Sequence, residues 1–100
     1  MATKTQPTTK ARPVGVHLQD NDENRSVVDA IEQDNPDVAV KHMPGLVELQ
    51  TVGQLVVRRA TVESKLGRPW ETHEFQMAIV SYIGHIAQWD EDEIVIRWDH

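Results

Sequence analysis

The sequence predicts a single small α+β domain in which two or three helices pack on a mostly antiparallel sheet. Three observations lead there. Apolar residues repeat at helical spacing over 26–34 and 75–83, they alternate or run in short β-branched blocks elsewhere, and Gly or Pro punctuates most changes of period. The predicted order is β-α-β-β-β-α-α-β.

Residues 1–12, MATKTQPTTKAR, hold almost nothing to bury and are expected to form a disordered arm, with the folded domain spanning 13–100. "PVGVHL" predicts the first strand, and the polar run "QDNDEN" a loop after it. Ser26-Val27-Val28-Asp29 matches a capping box, with Val27, Val28 and Ile31 on one stripe, so a helix of about ten residues is expected. It ends near Asp34, because Asn35 precedes Pro36 and is pushed out of the helical region.

The period then changes. Val38 and Val40 alternate with Ala39 and Lys41, Pro44-Gly45 turns the chain, and "LVELQ" and "QLVVRR" flank Thr51-Val52-Gly53, which predicts three short antiparallel strands. Thr61 can cap a short helix through Leu66, ended by Gly67 in a left-handed cap; Pro69 cannot continue it. Phe75, Ala78, Ile79, Tyr82 and Ile83 recur at helical spacing and predict a long helix ending at Gly84. Ile94, Ile96 and Trp98 alternate as a closing strand, with Trp98 assigned to the core. Trp70 is assigned to packing, since Pro69 fixes its approach, while Trp89 suits a core lid and an interface anchor about equally.

Composition narrows the chemistry. A chain of 100 residues bounds one modest core, and the absence of cysteine excludes disulfides, thiolate nucleophiles and Cys-based metal sites. No stretch approaches the ~18 apolar residues of a membrane span and the N-terminus lacks an apolar leader, so a soluble, unexported, cytoplasmic protein is expected. Lys4, Lys10 and Arg12 carry all the charge of the first twelve residues, leaving 16 acids against 7 bases in the other 88. That balance argues against nucleic acid as a partner.

Catalytic patterns are missing. No Glu is followed three residues later by His, and His73-Glu74 lacks the second His of a zinc-protease helix. "DNDEN" at 20–24 imitates a calcium loop but continues with Arg25 at its sixth position and Ile31 at its twelfth. No metal site is expected. Ser26, Ser64 and Ser81 lie in no nucleophile-elbow setting. Asp90-Glu91-Asp92-Glu93 reads as a solvated turn, and His85 as a surface or capping group.

The run "LGRPWETHEFQMAIVSYIGHIAQWDEDEIVIRW" resembles the C-terminal half of the small effector, or coupling, proteins of bacterial soluble di-iron monooxygenases. These serve methane monooxygenase, phenol hydroxylase, toluene monooxygenase and their propane and alkene relatives. Upstream, "DNPD" at 34–37 is similar to the family's Asn-Pro turn and "LVELQTVGQLVVRR" to its central hairpin, so the resemblance spans residues 13–99. It implies a non-enzymatic protein without cofactor or metal, monomeric when free. Such a protein docks on the di-iron hydroxylase, acts together with its reductase, and couples NAD(P)H oxidation to hydrocarbon hydroxylation.

The positions matching the family's hydroxylase-facing helix end are Val80, Ser81, Tyr82, Ile83, Gly84 and His85, with Asn35 at the Asn-Pro turn a second contact. Gly67, Arg68, Pro69 and Trp70 would form the turn that aims this helix. A propane or short-alkane system is favoured, with phenol, toluene, alkene and cyclic-ether systems left open. Two readings of other classes stand beside it. A small-ligand sensor would need convergent polar groups in an apolar cleft. A small enzyme would use His85 with the acidic turn.

Overall fold

The computed structural model describes residues 12–98; the predicted arm at 1–12 falls outside it except for Arg12. The elements are β1 (Pro13–Gln19), α1 (Asp22–Asp34), β2 (Ala39–Met43), β3 (Leu46–Val52), β4 (Gln54–Arg58), α2 (Arg59–Leu66), a 3-10 turn (Thr72–Glu74), α3 (Phe75–Ala78), β5 (Ile79–Ile83), β6 (His85–Trp89) and β7 (Glu93–Arg97). The α+β class stands. All strand pairs are antiparallel, but they form two sheets, β2-β3-β1-β5 and β4-β7-β6.

α1 starts four residues before the predicted Ser26 cap. Asn21 is the cap: its side chain accepts the Asn24 N–H at 2.8 Å, and Asp22 and Glu23 place negative charge at the positive end of the helix. The "QDNDEN" run thus supplies the cap and first turn instead of a loop. α2 likewise begins at Arg59, ahead of Thr61, and ends as expected at Gly67, which has φ 74°.

The long helix after Glu71 does not form. Only Phe75–Ala78 is α-helical, and the chain then extends as β5, turns at Gly84 and returns as β6. The spacing that suggested a helix is ambiguous in itself. Phe75, Ile79 and Ile83 lie four apart, which puts them on one face of a helix and equally on one face of a strand. Ile-Val-Ser-Tyr-Ile is rich in β-branched and aromatic residues, and β1 offers it a free edge.

The predicted central hairpin is also divided. β3 and β4 are separated only by Gly53, with φ 97°, yet β3 pairs with β1 and β2 while β4 pairs with β7. The chain crosses between sheets at that glycine. One core fills the space between them: Val14, Val16 and Leu18 of β1, Val47 and Leu49 of β3, Leu55 and Val57 of β4, and Ile94 and Ile96 of β7 are all buried. α1 closes the core with Val27, Val28, Ala30 and Ile31, packing on β4 and α2. Burial of these side chains away from water is the main stabilising term.

Candidate functional site

Among the described residues, four of the five exposed large apolar side chains fall on one segment, the fifth being Val52 at the end of β3, 60% exposed. Met77 of α3 is 80% exposed, and Val80 and Tyr82 of β5 are 52% and 46% exposed, with Ile83 beside them also open to solvent. Among the described residues β5 is the edge of its sheet, bonded on one side to β1 and unpaired on the other. Apolar side chains on a free strand edge favour association, and soluble proteins ordinarily blunt such edges with charge. This segment carries none between Phe75 and Gly84.

The six residues assigned to a helix end therefore occupy a strand and the joint after it. Val80, Ser81, Tyr82 and Ile83 are exposed on β5, and His85 is exposed at the start of β6. Gly84 is different. It has φ 126°, and a Cβ there would lie 2.8 Å from Ile96 Cγ2 and 3.1 Å from Val14 Cγ1. It acts as the inner joint between the two sheets.

Asn35 is turned inward, so a direct surface contact through its side chain does not fit this structure. Its Nδ2 donates to the Ile31 carbonyl at 2.8 Å and the Val56 carbonyl at 2.7 Å, while its Oδ1 accepts the Val56 N–H at 2.9 Å. The amide thus ties the end of α1 to β4, and satisfies the polar backbone of a buried strand residue.

The Gly67–Trp70 break is held at several points. Arg68 pairs with Glu23 at 2.7 Å, the Trp70 N–H donates to Glu63 Oε2 at 2.9 Å, and the Trp70 ring is buried. Glu71 and Glu74 then form a reciprocal capping box, and the Thr72 hydroxyl donates to the Asp90 carbonyl at 2.6 Å. The break leads into the 3-10 turn, α3 and β5 instead of a long helix. Phe75 meets Trp89 edge to face at 6.3 Å between centroids, which places Trp89 partly against the core. Trp98 lies just past β7, half-buried, donating from Nε1 to the Pro13 carbonyl at 3.0 Å under the Arg12 guanidinium.

Two features escaped the sequence reading. Met77 falls off the apolar stripe, and a large apolar residue off-stripe was the available signal for it. His17 belongs to a polar row that only strand register reveals: Lys41, Glu48, His17 and Ser81 are cross-strand partners on β2, β3, β1 and β5. The His17 Nε2 lies 3.2 Å from Glu48 Oε2, and its Nδ1 lies 3.1 Å from Ser81 Oγ. Among the described residues no His, Asp and Glu cluster is arranged to hold a metal ion.

Among known proteins, residues 12–97 match the MmoB/DmpM family. The chain belongs to that family. It is 39% identical over 85 residues to the stimulatory component DmpM of phenol 2-monooxygenase from Pseudomonas sp. strain CF600, covering 85% of this chain and 93% of that protein. Its fold is similar to a chain in a phenol hydroxylase–regulatory protein complex, with TM-score 0.83 and 34% identity over 88% of this chain and all of the other. The regulatory protein B of soluble methane monooxygenase shares the fold at TM-score 0.68 and 22% identity, over 87% of this chain and 65% of that one. The phenol 2-monooxygenase relative is a stimulatory component of its enzyme.

Proposed function

We propose that this protein is the cofactor-free effector of a soluble di-iron hydroxylase of the phenol-hydroxylase type, working beside that enzyme and its reductase in the cytoplasm. The unpaired edge of β5, with Met77, Val80, Tyr82 and Ile83 exposed along it, is the single observation that carries the docking surface. Ser81 and His85 lie on the same stretch as polar contacts. Gly84 and the Gly67–Trp70 turn act behind it, holding β5 and α3 in place. Relatives at 34% and 39% identity are regulators of phenol hydroxylases, so a phenolic ring replaces the propane or short-alkane substrate favoured by the sequence alone.

An effector without chemistry of its own acts through differential affinity. It shifts a hydroxylase towards the arrangement it binds more tightly, and only by the difference between its affinities for the two arrangements. A specific contact of this kind buries on the order of 1,000 Å² or more, with a few aromatic or aliphatic anchors carrying most of the energy. Tyr82 and Val80 are the anchors available here. The domain's excess negative charge would steer it towards a basic surface and speed its arrival.

The test is product formed per NADH consumed by a phenol-hydroxylase-type hydroxylase and its reductase, with and without this protein. Coupled turnover should rise and saturate as the protein approaches the hydroxylase concentration. No change with a hydroxylase that responds to another effector would reject the proposal.

A further inference from the structure

The Lys41–Glu48–His17–Ser81 row runs across all four strands of the first sheet and ends on β5. We infer that His17 is a positioning residue for docking: its imidazole sets which way the Ser81 hydroxyl points, and protonation reverses that direction. This rests on the proposed docking role of β5.

An ionised Glu48 places negative charge and lone pairs 3.2 Å from Nε2, which favours the neutral His17 tautomer that carries its proton on that nitrogen. Nδ1 is then left with a lone pair, and at 3.1 Å it accepts the Ser81 O–H. The exposed side of the Ser81 oxygen consequently offers only lone pairs to a partner. When His17 gains a proton, Nδ1 becomes a donor, Ser81 Oγ accepts from it, and the hydroxyl hydrogen turns outward. One titration thus exchanges an acceptor for a donor on the docking strand.

Among the described residues, the polar neighbours of His17 come from the strands of its own sheet. Glu48 of β3 faces it directly, Lys41 of β2 stands beyond Glu48 in the same row, and β5 contributes the neutral Ser81 hydroxyl. β4 and β7 lie against the opposite side of β1, where Val14, Val16 and Leu18 are buried with Leu55, Val57, Ile94 and Ile96. Both His17 and Glu48 keep about a fifth to a quarter of their side-chain surface exposed, so solvent protons reach them. A Ser–His–Glu row also has the inventory of a nucleophilic triad, but it lies on an open sheet face, and the placement of Ser81 on the edge strand favours recognition.

Two measurements on the full chain decide this. Nitrogen-detected NMR of the free protein at neutral pH should find His17 as the Nε2–H tautomer; the other tautomer, or rapid averaging between them, overturns the assignment. Affinity for a phenol-hydroxylase-type hydroxylase is then measured across the imidazole titration range for wild type, His17→Gln and Ser81→Ala. Losing or gaining one matched hydrogen bond corresponds to roughly 3- to 10-fold in affinity, and that extra pH dependence should appear in wild type and vanish in both variants. Ser81→Ala keeps the ring in place, so it answers even if His17→Gln folds poorly. Superimposable pH profiles overturn the role of His17. Absence of binding at every pH rejects the effector reading and the docking role together, and the tautomer measurement still decides whether the pairing exists.

Discussion

β5 and β7 are both five-residue strands rich in β-branched residues, Ile-Val-Ser-Tyr-Ile and Glu-Ile-Val-Ile-Arg, and they end in opposite environments. β7 is the centre of its sheet, bonded to β4 and β6, and Ile94, Val95 and Ile96 are buried. β5 is an edge, and Val80, Tyr82 and Ile83 face water. The difference lies in sheet position, not composition. The apolar content of β7 is buried in the fold, whereas much of that of β5 stays exposed, which is why the proposed docking surface is placed there.

Substitution should separate the two strands most clearly. Ile96→Ala removes a fully buried side chain and should cost about 2–5 kcal/mol of unfolding free energy. Tyr82→Ala, at a half-exposed edge position, should cost no more than about 1 kcal/mol in stability. It should nevertheless weaken hydroxylase binding by at least ~1 kcal/mol, as loss of an aromatic anchor does. Urea unfolding and binding titration measure the pair. Equal stability losses, or a Tyr82→Ala variant that binds normally, would break the distinction between the strands.

The joint between β5 and β6 gives a sharper version. Gly84→Ala forces a Cβ to within 2.8 Å of Ile96 Cγ2 at φ 126°, so overpacking and backbone strain add and a loss of about 2–4 kcal/mol is expected. Gly67→Ala meets open space at φ 74°, and should cost only the left-handed penalty of about 1–2 kcal/mol. Comparable losses in denaturant unfolding would mean that the sheet joint is not wedged between Ile96 and Val14.

These contrasts also explain what the sequence could and could not disclose. Gly67 as a helix cap, the Pro44-Gly45 turn and the strand at Ile94–Ile96 depend on local chemistry, and local signals disclosed them. The start of α1 was hidden because Asn21 lies within a polar run that reads equally well as a loop. β5 was hidden because a four-residue spacing satisfies both periods, and the choice between them is made by β1, over sixty residues upstream. The His17–Ser81 contact and the inward turn of Asn35 towards Val56 depend on tertiary register, which no local pattern carries. The Gly-Arg-Pro-Trp break was visible as a break, while the element it leads into was not.

The smallest expected effect concerns the turn that closes β6 onto β7. Asp90 Oδ1 accepts the N–H groups of Asp92 at 2.8 Å and Glu93 at 3.0 Å, and Gln88 Nε2 donates to Oδ2 at 2.8 Å. The backbone bonds from Asp92 and then Glu93, followed by the Gln88 bond, hold the Asp90 carboxyl below its ordinary value of 3.8. A carboxyl depressed in the folded state stabilises the protein above its unfolded value and loses that contribution as pH falls through the folded value. The window therefore lies below 3.8, where wild type should lose this increment on acidification. Asp90→Asn retains one acceptor oxygen for the two backbone donors but no charge, so it should be slightly less stable at neutral pH. The gap between the two proteins should narrow as the solution is taken to about pH 2. Because the carboxylate is fully solvated the gap is small, and urea midpoints measured in parallel at both pH values are the suitable readout. A gap that widened in acid would show that the turn is held by something other than the charged acceptor, and β7 would then owe its central place to packing alone.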